Sequence, residues 1–223
     1  MKKLFTMLGF FWMCSLVYGS GSPTHFSCED DVSIIQSHYS ICFGDAIEAG
    51  VATDLSLSIS WRVSPQSGTS KASGIGKTTG DLVFSKPGTY QITFDIPAHG
   101  DHPGKTETVT VEVSSARMIF DLRNIVFSKQ LSSAGDASGI VMTVPVSVKT
   151  YDGQAYDYTM REVQTTGVAN VTSRLKNDKA ILKDGVNELS FELSGAVSSK
   201  GNIQFRVYDA KGEAIFFTYS ITN

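Results

Sequence analysis

The sequence has only three cysteines, little net charge and a single long apolar run. These low numbers argue against a structural zinc site, against nucleic-acid binding and against a membrane span. At a formal net charge of −3 over 223 residues, without a basic stripe, it lacks the pattern of proteins that bind nucleic acid or acidic membranes. The apolar run, residues 4–17, falls short of the roughly 20 residues that span a bilayer, and no later segment reaches that length. We therefore predict no membrane span in the mature chain, which we expect to be soluble or peripherally attached.

The apolar run has the pattern of a signal peptide. Lys2 and Lys3 precede it, and residues that a signal peptidase tolerates end it at Gly19. We predict that residues 1–19 form a cleaved leader, with Gly21 as a second cleavage point. The mature protein is then extracytoplasmic.

Removal of the leader also removes Cys14 and leaves Cys28 and Cys42. An even number of cysteines in an exported chain predicts a disulfide, which would contribute roughly 3 kcal/mol by the loop-closure estimate. A pair of buried thiols is the alternative. Two cysteines are too few for a structural zinc site.

Alternation of apolar and polar residues predicts strands along the whole mature chain, and no helical period is sustained. Residues 81–96 predict two strands around a turn, and the second buries every other residue from Tyr90 to Ile96. Residues 55–63 predict a strand centred on Trp61, followed by a long Ser/Gly-rich loop over residues 64–80.

Residues 40–114 carry a recognisable series: CFGD at 42–45, a strand with Trp61, Phe84 before PGTY at 87–90, and a terminal TVTVEV strand. This series resembles the polycystic-kidney-disease (PKD) type of bacterial immunoglobulin-like domain. Over residues 40–114 the resemblance implies a β-sandwich that serves as a spacer or binding unit, and it carries no chemistry. We place the first domain at residues 20–114. The DHPG insertion at 101–104 departs from the family pattern.

Residues 115–223 predict a second sandwich that is only generically immunoglobulin-like. Its strands recur about every ten residues between turns such as Asp152-Gly153 and Asp184-Gly185. The predicted fold is therefore all-β, with two tandem immunoglobulin-like β-sandwich domains after the leader. Pro145 predicts that residues 140–151 form an edge strand or carry a bulge, which suggests partner binding by strand addition there.

Motifs for chemistry are weak. Residues 76–78 (GKT) resemble the end of a phosphate-binding loop without its first glycine, and Ser138 lacks a histidine base in its own domain. His99, Asp101 and His102 are the one candidate metal set, for Zn²⁺ or Cu²⁺, although an exposed polar loop explains them as well. We predict no catalytic residues and no cofactor.

An exposed aromatic surface is the candidate binding site in the second half. Tyr156 and Tyr158 share one strand face, while Tyr208 and Phe216 alternate outward from apolar neighbours. For any single tyrosine we favour the alternative, a place in the core or at its rim. For Phe216 the alternatives are a contact with another subunit and a seam between domains.

These features predict a non-enzymatic protein of the bacterial periplasm, cell surface or secreted fraction. Its tandem domains would act in adhesion or within an envelope assembly, with a protein partner. The alternative is a carbohydrate-binding module that accompanies a secreted hydrolase.

Overall fold

The computed structural model describes residues 32–222, which are almost entirely β structure. The described residues contain one short 3₁₀ helix, at Tyr151–Gly153, and strands β1 to β20. The all-β fold class predicted from alternation is confirmed. Within this range no helix is long and apolar enough to cross a membrane.

The N-terminal half contains β1 (Ser33–Ile34), β2 (His38–Cys42), β3 (Ala46–Ile47), β4 (Val51–Ala52), β5 (Ser60–Ser64), β6 (Ser73–Ile75), β7 (Leu82–Val83), β8 (Gly88–Ile96) and β9 (Lys105–Ser114). The C-terminal half contains β10 (Ala116–Phe120), β11 (Val126–Phe127), β12 (Val141–Thr150), β13 (Tyr156–Thr159), β14 (Val163–Gln164), β15 (Thr166–Gly167), β16 (Ala169–Leu175), β17 (Lys179–Leu182), β18 (Gly185–Val197), β19 (Gly201–Tyr208) and β20 (Ala214–Ile221).

The main sheet of the N-terminal half has β8 at its centre. Its strand order is β2-β9-β8-β5-β6, with β2 parallel to β9 and the other pairs antiparallel. Tyr90, Ile92, Phe94 and Ile96 are all buried, as the alternation in residues 81–96 predicted. The short pairs β1-β4 and β3-β7 complete this half.

The C-terminal half is built from two larger sheets and one two-stranded pair. One sheet has the order β10-β12-β18-β16-β14, with β11 also paired to β12. The other has the order β15-β19-β20, and β13 pairs with β17. Long antiparallel registers join β12 to β18, which are distant in sequence, and β19 to β20, which are consecutive.

The buried side chains form two clusters, one in each half. The N-terminal core extends from Val32 to Val113, and the C-terminal core from Ala116 to Ile221. The predicted boundary between residues 114 and 115 lies between the two cores. Because all described residues belong to one compact unit, the division into two domains stays a prediction.

Contacts near Asp45 join the two cores. The Arg117 guanidinium lies 2.5 Å from Asp45 Oδ1, and the rings of Phe43 and Tyr151 meet edge to face with centroids 5.7 Å apart. Burial opposes the charge on Asp45, but hydrogen bonds from Arg117 and the Cys42 amide outweigh it and hold the pKa of Asp45 below its usual range. An ion pair and a ring contact therefore connect the halves in addition to the chain itself.

Cys42 is buried at the same junction, and it forms no disulfide with any residue that the structure describes. It donates a hydrogen bond to the Ala116 carbonyl oxygen at 3.4 Å, and burial raises its pKa. Cys28, its predicted disulfide partner, lies outside the described residues. The disulfide thus stays a prediction, while the structure gives Cys42 a packing role across the junction.

Pro145 lies in an internal strand, so of the two predictions for residues 140–151, an edge strand or a bulge, the edge strand is wrong. β18 lies on one side of β12, and β10 and β11 lie on the other. Pairing with β10 ends at Val146 and pairing with β11 begins at Thr143, so Pro145 faces the gap between them. Its carbonyl accepts the Asp121 N–H at 2.8 Å on that side, where the missing donor would also point. Strand addition at this segment therefore has no open edge.

Asp184 connects the turn before β18 to the end of β12. Its carboxylate accepts hydrogen bonds from the Lys149 ammonium and from the amide and hydroxyl of Thr150, the latter two at 2.6 and 2.7 Å. These bonds lower the pKa of Asp184 to about 2.

We expect Asp184→Asn to reduce stability at neutral pH and the loss to vanish in acid. The folded pKa is about 2 and the unfolded value about 3.9, so the wild-type carboxylate stabilises fully above the unfolded value. Its contribution disappears as the pH falls through the folded value. Urea midpoints of the two proteins should differ at neutral pH and converge as acid is added, while Asp81→Asn, at an exposed carboxylate, should match wild type throughout. An undiminished difference in acid would contradict this account.

Candidate functional site

Tyr158 is a core residue, which corrects its predicted place on a binding surface. Tyr156 and Tyr158 share one face of β13, as predicted, but that face turns inward. Tyr158 is 1% exposed, and its hydroxyl donates to the Tyr208 carbonyl oxygen at 2.7 Å. Burial raises its pKa. A side chain so enclosed has no face to offer a ligand.

Tyr156 and Tyr208 line a surface groove of about 660 Å³. Tyr156 comes from β13 and Tyr208 from the end of β19, and both are half-buried. Residues 159–164 also line the groove, and among them Met160 adds a half-buried thioether. The volume lies within the range of roughly 300–1,000 Å³ typical of ligand sites. This groove is the candidate binding site of the described chain.

Arg206 extends the groove onto the outer face of β19 and β20. Its guanidinium carbon is 5.8 Å from the centroid of the Tyr208 ring and 5.8 Å from that of Phe216, its register partner on β20. Both distances allow cation–π attraction. No carboxylate in residues 32–222 pairs with this guanidinium, so its hydrogen-bond donors can meet an acidic group of a ligand.

Asp209 also lines the groove, but its carboxylate is engaged in the β19–β20 turn. Its Oδ1 accepts the amides of Lys211 and Glu213, both at 2.9 Å, and the side chain is 8% exposed. Burial, and then the charge of Asp209, raise the pKa of Tyr156. At neutral pH the groove therefore presents a neutral phenol, with Arg206 as a cation beside it.

Phe216 is 49% exposed on β20, which confirms its predicted outward direction. Its ring lies beside Arg206. One neighbourhood therefore contains Tyr156, Met160, Arg206, Tyr208 and Phe216. We call these five residues the aromatic groove.

The histidine loop does not assemble the candidate metal set. The rings of His99 and His102 stack with centroids 5.3 Å apart, and their backbones exchange hydrogen bonds of 3.0 and 2.9 Å. Asp101 is exposed between them. Nowhere in the described chain do three His, Cys, Asp or Glu side chains group as a metal would require. The loop has the hydrogen bonding of a tight hairpin turn.

The two weak motifs take structural roles. The Asp136 carboxylate accepts the Ser138 amide at 2.8 Å within a turn, and the Lys77 ammonium donates to the Thr53 carbonyl at 2.7 Å. The first contact stays within one turn and the second joins two loops, so both stabilise the local backbone.

Sequence reasoning missed Arg206 and Met160. The alternation of β19 already directed Arg206 outward, on the same face as Tyr208, and this signal could have found it. No such signal existed for Met160, because residues 159–164 meet β19 only through the tertiary fold.

Comparisons with known proteins leave the family open. No protein-family model and no curated protein matches the chain. The crystal structure of the β-glucuronidase from Parabacteroides merdae matches with 11% sequence identity and a TM-score of 0.28, over 85% of this chain and 24% of that chain. The chain therefore spans about a quarter of the length of that enzyme. At this similarity the match bears neither on fold nor on activity.

Proposed function

We propose that this chain is a non-enzymatic, extracytoplasmic binding protein of a bacterial envelope or surface. It acts through two tandem immunoglobulin-like sandwiches, the first of the PKD type, after cleavage of a leader over residues 1–19. The leader lies outside the described residues, so its support is the sequence pattern alone. Two separate cores on either side of residues 114–115 support the tandem arrangement.

The aromatic groove carries the proposal of binding. It combines two half-buried tyrosines, an arginine held against two rings, and an exposed Phe216. Tyrosine and arginine are enriched at protein interfaces because each offers a large contact area together with polar atoms that stay satisfied. An exposed phenylalanine beside them extends the apolar area.

We infer that the partner is a protein with an acidic or carboxylate-bearing contact. Arg206 is pre-positioned by its two rings, so little side-chain entropy is lost when its donors bind a carboxylate. Adhesion and assembly within the envelope both fit such a contact.

Carbohydrate binding is the second candidate, supported by Tyr156 and Tyr208 on one groove. Aromatic rings beside hydrogen-bonding groups suit the apolar faces and hydroxyls of a sugar. The groove volume of about 660 Å³ suits either a short oligosaccharide or a few neighbouring side chains of a protein partner.

The test compares Arg206→Ala with Arg174→Ala. Both arginines lie on strands of the C-terminal half, and Arg174 instead pairs with Glu192 on the other sheet. We expect Arg206→Ala to weaken capture of an envelope protein about 30-fold, the effect of losing a hot-spot residue of roughly 2 kcal/mol, while Arg174→Ala binds as wild type.

Glycan arrays separate the two candidates. Silent arrays together with a partner lost in Arg206→Ala support the protein partner. Array binding that disappears in Tyr208→Ala supports the sugar. If neither variant changes any binding, the aromatic groove is not the site and the proposal fails.

A further inference from the structure

The last strand, β20, has one open side. It pairs with β19 from Ala214 to Ile221, and in residues 32–222 no strand pairs with its other side. An unpaired edge presents a row of N–H and C=O groups that can bond to another strand.

The β19–β20 turn fixes which groups point outward. The Asp209 amide donates to the Glu213 carbonyl at 3.0 Å, so these two residues form a hydrogen-bonded pair. Such pairs alternate along an antiparallel ladder, and the register continues without a break from this turn. The residues whose main-chain groups point to the open side are therefore Ala214, Phe216, Thr218 and Ser220.

β20 also lacks the features that normally protect an edge. Its eight residues, AIFFTYSI, include no charge and no proline. The other outer strands of this half differ, because β11, β14 and β15 have two residues each, β10 carries Arg117, β13 carries Asp157 and β17 carries Lys179. β20 is thus the long, unprotected edge of the described C-terminal half.

The C-terminal core is incompletely covered along this edge. Phe217 and Tyr219 face inward but are only half-buried. Phe217 stacks on Phe205 with ring centroids 5.1 Å apart, and the ring centroids of Tyr219 and Phe127 are 4.7 Å apart. A strand added beside β20 would cover these rings with its own inward residues.

We propose that β20 pairs with the β20 of a second copy of this chain, antiparallel about a two-fold axis at Phe217. This register places Ala214 opposite Ser220 and Phe216 opposite Thr218, so all four outward residues on each copy find a partner and about eight main-chain hydrogen bonds form. On the inner face Phe217 meets its copy and Ile215 meets Tyr219. No charge is buried, because the strand contains none.

The dimer extends beyond the proposed binding function. Two three-stranded sheets become one continuous sheet, and both aromatic grooves lie along it because Phe216 belongs to groove and edge alike. A bivalent protein would gain avidity for a repetitive partner.

The first test is the mass of the purified chain in solution by light scattering. We expect twice the mass of one chain, and Thr218→Pro should return it to one chain. Proline at this position removes an outward N–H and leaves the ladder to β19 intact. Thr218→Val keeps the N–H and the shape, so it should remain dimeric. A wild-type protein that is monomeric at all accessible concentrations would overturn the proposal.

Amide exchange in the wild type gives a second readout that needs no variant. The Phe216 and Thr218 amides should lose their protection on dilution, in step with the dimer, whereas those of Phe217 and Tyr219 remain protected by β19. A dimer whose Phe216 and Thr218 amides do not respond to dilution forms through another surface and contradicts the proposal. Arg206→Ala should leave the dimer intact, so failure of groove binding and failure of the dimer are distinguishable.

Discussion

Tyr158→Ala is expected to lower the free energy of unfolding by about 3–5 kcal/mol, the range for removing a buried aromatic side chain. The ring is among the largest fully buried side chains, and its removal would leave a cavity in the C-terminal core. The Tyr208 carbonyl would also lose its hydrogen-bond donor. Urea unfolding followed by far-UV circular dichroism measures the loss.

Two further variants separate the parts of this effect. Tyr158→Phe keeps the ring and removes the 2.7 Å hydrogen bond, so it should cost about 1–3 kcal/mol. Phe216→Ala removes a ring that is 49% exposed and should cost much less than Tyr158→Ala. A Tyr158→Ala protein as stable as Phe216→Ala would contradict the placement of Tyr158. Because Tyr158→Ala should weaken the fold, loss of binding in that variant says nothing about ligand contacts.

Gly195→Ala is the second change with a large expected effect. Gly195 lies on β18 at φ +105°, and an added Cβ would lie 2.1 Å from the Asn170 carbonyl oxygen on the paired strand. That oxygen belongs to the backbone, so the ladder between β16 and β18 must shift. We expect a loss that combines backbone strain of about 1–3 kcal/mol with an overpacking cost of about 1–3 kcal/mol.

Gly185→Ala is the matched control on the same strand. Gly185 has a φ of +103°, close to the φ of Gly195, and no atom lies within 4 Å of the added Cβ. The loss of stability in Gly185→Ala should therefore come from backbone strain alone, without an overpacking cost. Urea unfolding of the two variants isolates the close approach at Gly195, and equal losses would contradict it.

Side-chain alternation located most strands but not their neighbours. The inward residues of β8 and the outward direction of Phe216 follow from the two-residue period. Residues 55–63 alternate just as regularly, yet β5 begins only at Ser60. Leu55 and Leu57 pack against the N-terminal core although their segment pairs with no strand among the described residues. Alternation in this segment therefore indicates which side chains are buried, and it does not indicate hydrogen bonding to a neighbouring strand.

The candidate site was half predictable for a related reason. Alternation placed Tyr156 and Tyr158 on one face correctly, but it could not say that this face is the inner one. The flanking residues, Asp157 and Thr159, are polar and exposed, which in hindsight favours an inward pair of tyrosines. The part of the groove lining at residues 159–164 had no local sequence signal at all.

The sequence by itself determined that the chain forms strands and which residues of each strand share a face, because the two-residue period is a local property of extended backbone. Only the tertiary structure decided that Pro145 faces a gap inside a sheet, that Tyr158 is enclosed while Tyr208 borders a groove, and that β20 has an open side. Each of these depends on pairings between segments far apart in the chain, and no local pattern encodes the order in which strands come together.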